Sequence, residues 1–365
     1  MASILTGLYP FEHRVVHDWQ DPDQFGRLVP SIPTLPEALV KRGYRTAAFV
    51  NNAFLAPAFG LNRGWEVYDY QGASLTEHRT ATETFDAAQQ WLDAEDTPAL
   101  LMVHVMEPHA DYTAPKPFTG RFSKDLPHEV SLPLGDVLID ELIQGEKTLP
   151  KDDQVYLRAA YDEEVLTTDA ALGQFLGHLQ KRKGWENTRL VVTSDHGEEF
   201  WEYGRYEHGH STRSVVTQVP LVLKTPGAIP GPNKSVVDLT LVMDALLDAP
   251  ESDLNRIARA GIYETGRFAL SEDILYGPQE ISIVSDTLRL IFQQETETAT
   301  LLELDERGWE VKDLSMDPAQ RTRGQGLYEA IVGKRGDLAR TSTLNSVAVP
   351  GAEVFEQLRT LGYVE

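Results

Sequence analysis

The sequence predicts an α/β protein in which a mostly parallel central sheet, covered by helices on both faces, is followed by a small antiparallel sheet near the C-terminus. Three observations carry this prediction. Helical segments alternate with apolar runs over the first two thirds of the chain. Those runs are continuous rather than alternating, as strands buried on both faces require. Near residue 248 the texture changes to short alternating strands separated by turn residues. At 365 residues the chain exceeds the size at which one core stops growing, so a large domain over 1–255 and a smaller α+β domain over 256–365 are expected.

The elements follow in order. "MASILTG" reads as the inside of a helix, with no capping side chain and no strand before it. "IPTLPEALVKRGY" has helical spacing of Leu35, Ala38 and Leu39, stops at Gly43, and leads into the apolar strand "RTAAFVNN". The unit recurs as the amphipathic helix "ATETFDAAQQWLDAED" and the strand "ALLMVHV". From about Phe118 to Leu149 the chain turns polar and Pro-rich, which predicts a surface insertion beside whatever site the preceding loop builds. A long helix from about Gln154 to Lys183, with Ala159, Tyr161, Val165, Leu166, Leu172 and Leu176 as its apolar stripe, leads to the strand "TRLVVTS". After a boundary placed between Asp248 and Arg259 come "GRFALSE", "EISIVSD", "TLRLIFQQ" and "TATLLELDE", which read as the antiparallel sheet, and a closing helix in "GAEVFEQLRTLGYVE".

The balance of 33 Lys+Arg against 56 Asp+Glu, a net charge of -23, argues against nucleic acid or an anionic membrane as partner. With no Cys, disulfides, thiolate metal sites and a cysteine nucleophile within these residues are excluded. The longest apolar runs, "PALLMVHVM" and "TQVPLVL", reach about half of the roughly 18 residues that a membrane-spanning helix needs, so no span is predicted.

Ligands of open α/β sheets bind where the strands end at their carboxyl side, and three polar clusters fall there. "RLVVTSDHGEEF" places Asp195 and His196 where a strand runs out, before a Gly that permits a tight turn. An adjacent carboxylate and imidazole suit a divalent cation taking O and N ligands, although an isolated "DHG" reads equally as a helix-capping Asp beside a solvated His. "YEHGHSTRS" sets His208 and His210 around a Gly, able to reach one anion or metal, or else simply exposed in a loop. "ALLMVHVMEPHADY" supplies His104, within an apolar run and so read as a core histidine, and then His109 behind Pro108, the better candidate for contacting an anion.

Taken together, "ILTGLYPFEHRV", "TLPEALVKRGYRTAAFV", "VHVMEPHADY", "VVTSDHGEEF", "EHGHS" and "VPLVLKTPG" resemble segments of the sulfatase family, in that family's order, and "FEQLRTLGYVE" resembles an ending common in its bacterial members. The resemblance spans almost the whole chain. It implies an alkaline-phosphatase-like α/β/α sandwich and metal-dependent hydrolysis of sulfate esters of small molecules or glycans. Residue by residue, it makes Asp195 and His196 ligands of the catalytic divalent metal, and His109 a contact of the ester's anionic oxygens. His208 falls where a cationic side chain neutralises the leaving group or sulfate, with His210 as the neighbouring candidate. His13 matches a His that supports the nucleophile helix, and Arg14 stands where that segment has Gly. The metal implied by the family is Ca2+. Many members carry Asn where this chain has His196, which opens Mn2+ or Zn2+, and phosphate or phosphonate esters, as alternatives.

"ILTG" resembles the end of the family motif C/S-x-P-S-R-x-x-L-x-T-G, with Met1 at the position of its Arg. The resemblance therefore implies that the nucleophile, and a first strand ending in two Asp residues that complete the metal site, lie before Met1. The expectation is that these 365 residues alone do not turn over a sulfate ester. Neighbouring strands would also be left with an unpaired edge. Three readings stand: a sulfatase-type hydrolase whose first residues are not shown, a non-catalytic binding paralogue, and a phosphate or phosphonate ester hydrolase of the same superfamily.

Overall fold

The computed structural model describes residues 1–18, 21–71, 79–228, 230–232, 236–247, 268–272, 275–285, 287–335, 348 and 350–360. In chain order the first elements are α1 (Ala2–Thr6), α2 (Pro10–His13), β1 (His17–Asp18), β2 (Asp21–Phe25), α3 (Leu35–Val40), β3 (Arg45–Val50), β4 (Val67–Tyr70), α4 (Ala81–Asp93) and β5 (Ala99–His104). There follow α5 (Asp136–Ile143), α6 (Lys151–Leu179), β6 (Leu190–Thr193), β7 (Glu199–Phe200), β8 (Tyr206–Glu207), α7 (Ser214–Thr217), β9 (Leu221–Lys224) and α8 (Leu241–Leu246). The last strands are β10 (Ala269–Glu272), β11 (Glu280–Ser285), β12 (Leu288–Gln293), β13 (Thr298–Leu304) and β14 (Glu310–Asp313), with helices at Arg321–Arg335 and Ala352–Thr360. Two compact units contain them: residues 1–26, 187–202 and 206–345 form one, and 27–186, 203–205 and 346–365 the other. The boundary expected between Asp248 and Arg259 lies outside the described residues.

The second of these units holds the parallel sheet, in the order β4-β3-β5 with Ala47 opposite both Val67 and Leu101. β3 is central, and its Ala47, Ala48, Phe49 and Val50 are buried, as the continuous apolar run requires. Every residue of β5 is half-buried, because β5 is the edge of this three-stranded sheet. α4 lays Ala88 against β3, and its first turn is closed by a capping box of Thr80 and Glu83. Phe85 of α4 stacks on Phe175 of α6, with ring centroids 5.1 Å apart.

The buried face of α6 differs from the stripe predicted for it. Val165 is exposed, whereas Glu163 and Glu164 are buried with Leu157, Ala160 and Phe175. Glu163 has a partner for its charge: its carboxylate accepts the backbone N–H groups of Gly120, Phe122 and Ser123 at 2.8–2.9 Å. Burial pushes its pKa up, but these three donors outweigh burial and hold it below the ordinary value. The helix thus uses a carboxylate to gather the backbone of the polar insertion, in which α5 is a helix the sequence pattern did not reveal.

The first unit carries three short two-stranded sheets, β1-β2 among them, and the C-terminal one. β6 pairs with β9 antiparallel, Val191 opposite Leu223, and β7 with β8 in a two-residue ladder. The predicted C-terminal sheet is a five-stranded antiparallel meander, β10-β11-β12-β13-β14. One face packs Ile281, Ile283, Leu290, Phe292 and Leu301 against Leu327 and Ile331 of the helix Arg321–Arg335. Burying each such side chain contributes about 1.5–3 kcal/mol. The opposite face is also buried and is mixed, with Ser282 and Arg289 beside Ile291 and Leu302. No helix among the described residues is long and apolar enough to cross a membrane.

Candidate active site

Four of the six predicted site residues lie on loops of the first unit that leave β6 and β8, and His13 lies on α2 of the same unit. Asp195 and His196 follow β6 directly, each with its side chain about one third exposed, and Oδ1 of Asp195 lies 3.9 Å from Nε2 of His196. His196 Nδ1 donates to the Gly197 carbonyl oxygen at 3.0 Å, which turns Nε2 toward the Asp195 carboxylate. The glycine is required here. Its N–H donates to Val216 O at 2.7 Å, and a Cβ at this position would fall inside the contact radius of Val215 O.

His208 stacks on His196, with ring centroids 3.8 Å apart. Its Nδ1 donates to Glu198 Oε1 at 2.9 Å, and both side chains are more than nine-tenths buried. His210 is placed differently: its Nε2 bonds Glu199 Oε2 at 3.0 Å, and both side chains are 1 % exposed. Thus Asp195, His196 and His208 come together, while His210 belongs to a buried imidazole–carboxylate pair with Glu199. Gly209 reverses the chain between the two histidines at φ 81°, and its carbonyl accepts the N–H groups of Leu275 and Tyr276.

Polar side chains on the Arg289 face of the C-terminal sheet hold this loop in place. Glu280 accepts the Thr212 N–H at 3.0 Å and Glu310 the Ser214 N–H at 2.8 Å. Arg289 spans the Thr212 carbonyl, the Thr217 hydroxyl and the Glu310 carboxylate. None of Glu198, Glu199, Glu280, Arg289 and Glu310 was singled out from sequence. The signal for the first two was present: two acids behind "DHG" and two histidines ten and eleven residues on form two acid–imidazole pairs.

His13 is buried between α1 and its own loop. Its Nδ1 accepts the Val15 N–H at 3.0 Å and its Nε2 bonds Ser3 Oγ at 3.1 Å, which assigns the proton to Nε2. Burial first, and the charge of the Met1 amino group second, push its pKa down to about 3, so the ring is a neutral strut for α1. The Met1 amino group is itself buried, which lowers its pKa, while the Asp195 carboxylate acts in the opposite direction.

His109 belongs to the second unit and is half-buried in the loop after β5. Its backbone N–H donates to Met106 O at 2.8 Å and its Nδ1 to Ala110 O at 2.9 Å. Glu107, two residues earlier, accepts the N–H of Ala81 at the start of α4 at 2.7 Å.

Among the described residues no group of three or more His, Asp or Glu is arranged to hold a metal ion. Asp195 and His196 fit a divalent cation in donor type, one O and one N, and in their proximity. They fill two positions of the four to eight that Zn2+ or Ca2+ takes.

The fold is that of the alkaline-phosphatase-like hydrolases: a parallel sheet under helices, a small antiparallel C-terminal sheet, and a polar site beyond the strand ends. The sulfatase family model matches residues 1–250, and the chain belongs to the sulfatase family. It is 27% identical over 216 residues to the uncharacterized sulfatase YidJ of Escherichia coli (strain K12), a match covering 53% of this chain and 41% of that protein. The chain thus spans about two fifths of the length of that relative. Among solved structures, the phosphonate monoester hydrolase SpPMH from Silicibacter pomeroyi superposes with a TM-score of 0.66 at 17% identity, covering 96% of this chain and 88% of that one. The structure of BT4656 in complex with its substrate D-glucosamine-2-N,6-O-disulfate superposes at 0.67 with 14% identity, covering 92% and 87%.

Proposed function

We propose that this chain carries the substrate-contacting part of a metal-dependent sulfuric ester hydrolase acting on small-molecule or glycan sulfate esters. The observation that supports it most is the cluster of Asp195, His196 and His208 at the end of β6, in a chain of the sulfatase family. Asp195 and His196 would hold the divalent ion, which when bound acts as a Lewis acid on the ester and orients it. His208, its ring fixed by Glu198, donates from Nε2 to the oxygen on which charge develops. His210 is the alternative donor, and its burial against Glu199 favours His208 for the role. His109 contacts the anionic oxygens, and His13 keeps α1 in register through Ser3.

A second reading, phosphate or phosphonate ester hydrolysis, draws on the imidazole of His196, a donor suited to Mn2+ or Zn2+ rather than Ca2+. The test is to assay aryl sulfate and aryl phosphonate hydrolysis on the chain alone, and on the chain extended at Met1 by a segment ending in the family motif, each with Ca2+, Mn2+ and Zn2+. Sulfate turnover by the extended protein alone, abolished by Asp195→Ala, supports the proposal. Faster phosphonate turnover supports the second reading, and an inactive extended protein that binds a sulfate ester supports a non-catalytic role.

A further inference from the structure

The turn that carries His208 and His210 has a neighbour that the proposed chemistry does not use. Gly209, between the two histidines, stands at φ 81°, and its carbonyl oxygen accepts the backbone N–H groups of Leu275 at 2.9 Å and Tyr276 at 2.7 Å. The Tyr276 ring closes on the same glycine. A Cβ built on Gly209 would lie 3.1 Å from Cδ2 and 3.3 Å from Cε2 of that ring, tighter than ordinary van der Waals contact. Gly209 is therefore needed twice, for the left-handed backbone and for the room the ring takes. Farther along, Glu280 accepts both the N–H and the hydroxyl of Thr212, at 3.0 and 3.1 Å. Residues 276–280 thus run beside residues 209–212, with Tyr276 at the end where His208 lies. His208 in turn stacks on His196, with ring centroids 3.8 Å apart. Tyr276 is half-buried, and Gly277 after it is exposed, with nothing within 4 Å of its Cβ position. The segment is held by backbone hydrogen bonds on one side and faces open space at Gly277.

We propose that Tyr276 is a specificity-determining residue: the wall against which the ring-shaped body of a sulfate ester, a pyranose or an aryl group, packs while its sulfate is held beside His196 and His208. The inference rests on the reading of Asp195, His196 and His208 as the ester site. The two parts of such an ester need different partners, charged and imidazole groups for the anion and a fixed apolar surface for the carbon skeleton. A tyrosine ring supplies that surface at small conformational cost, because only two torsions have to be held. Tyr206, also close to the turn, is fully buried against Phe200 and Trp201 and cannot serve. Tyr276 lies beyond residues 1–250, the part of the chain that the family model matches, so the match itself says nothing of this contact.

The experiment is calorimetric binding of three probes to the full chain with Ca2+ and, separately, Mn2+: inorganic sulfate, which has no body to pack, 4-nitrophenyl sulfate and glucose 6-sulfate. Tyr276→Ala is expected to weaken both ring esters about two- to tenfold and to leave inorganic sulfate within about twofold of wild type. Tyr276→Phe keeps the ring and should bind all three like the wild type. Tyr276→Leu fills the space without the aromatic face, so it serves where the alanine variant fails to fold, and it too should lose affinity for the ring esters alone. Ring esters bound by Tyr276→Ala and Tyr276→Leu as tightly as by wild type would overturn the proposal. So would an equal loss for inorganic sulfate, which would make Tyr276 a support of the His208 turn and no contact of the ester. A Tyr276→Phe chain as weak as Tyr276→Ala would place the effect in the hydroxyl and overturn the ring contact. Asp195→Ala distinguishes the two readings. If it binds every probe normally while Tyr276→Ala discriminates, the metal reading fails and the wall stands; if it loses every probe while Tyr276→Ala matches wild type, the reverse holds. A wild type that binds none of the probes overturns both.

Discussion

The loop after β6 and the loop after β5 both bury glutamates, and they neutralise them by opposite means. After β6, Glu198 and Glu199 each meet an imidazole, His208 at 2.9 Å and His210 at 3.0 Å. After β5, Glu107 accepts the backbone N–H of Ala81, and in the same unit Glu164 of α6 is buried with its carboxyl pushed up to about 7, by burial first. The first arrangement fixes two rings and commits their nitrogens. The second leaves a buried carboxyl that keeps its proton up to about pH 7. What the difference teaches is that a buried carboxylate is tolerated wherever its charge is matched locally, and that the partner decides which variable, a ring orientation or the pH, the site responds to.

The comparison can be broken most severely at Glu199. Glu199→Ala leaves His210 fully buried without its partner and is expected to cost about 3–5 kcal/mol in denaturant unfolding. The Glu199→Ala/His210→Ala cycle should return a coupling of about 0.5–3 kcal/mol, and additivity there would mean that the pair is not matched as described. Next in size is Gly197→Ala, whose methyl group would press on Val215 O. A loss of about 1–3 kcal/mol is expected, with His196 displaced from its stack on His208.

The two loops should also differ in pH response. Glu164 is protonated in the folded chain up to about pH 7 but only to about 4.5 in the unfolded one. The folded state therefore holds the extra proton between these values, and this contribution to stability is present below 4.5 and is lost as pH rises through about 7. Glu164→Gln should flatten that fall in melting temperature. Glu163, its neighbour, carries the opposite sign: a depressed pKa adds stability above the ordinary value and loses it as pH falls. The smallest stability effect is expected at Asp195, a third exposed. Asp195→Ala should leave unfolding within about 0.5 kcal/mol of wild type, while divalent-cation binding measured by calorimetry is lost.

Much of the fold was legible because periodicity reports burial. The alternation of Ile281 and Ile283 with polar neighbours announced a sheet with one apolar face, and the run Ala47–Val50 announced a strand covered on both sides. Where burial and apolarity part company, the pattern misled. Glu163 occupies the buried face of α6 because backbone donors brought from residues 120–123 satisfy it there, and no helical spacing encodes those donors. The strand "ALLMVH" reads as buried from its apolar run but is a half-buried edge among the described residues, since pairing is a property of the sheet and not of the strand.

At the candidate site, residue type and order marked Asp195, His196, His208, His210 and His109 as candidates, and the resemblance to the sulfatase family added His13. Composition likewise determined the acidic charge and the exclusion of thiol chemistry, because both depend only on which residues are present. Tertiary structure alone decided that His208 stacks on His196 while His210 turns inward to Glu199. Two histidines separated by one glycine are equivalent in a sequence, and they become different only when Arg289, Glu280 and Glu310, far along the chain, hold the following segment in one position.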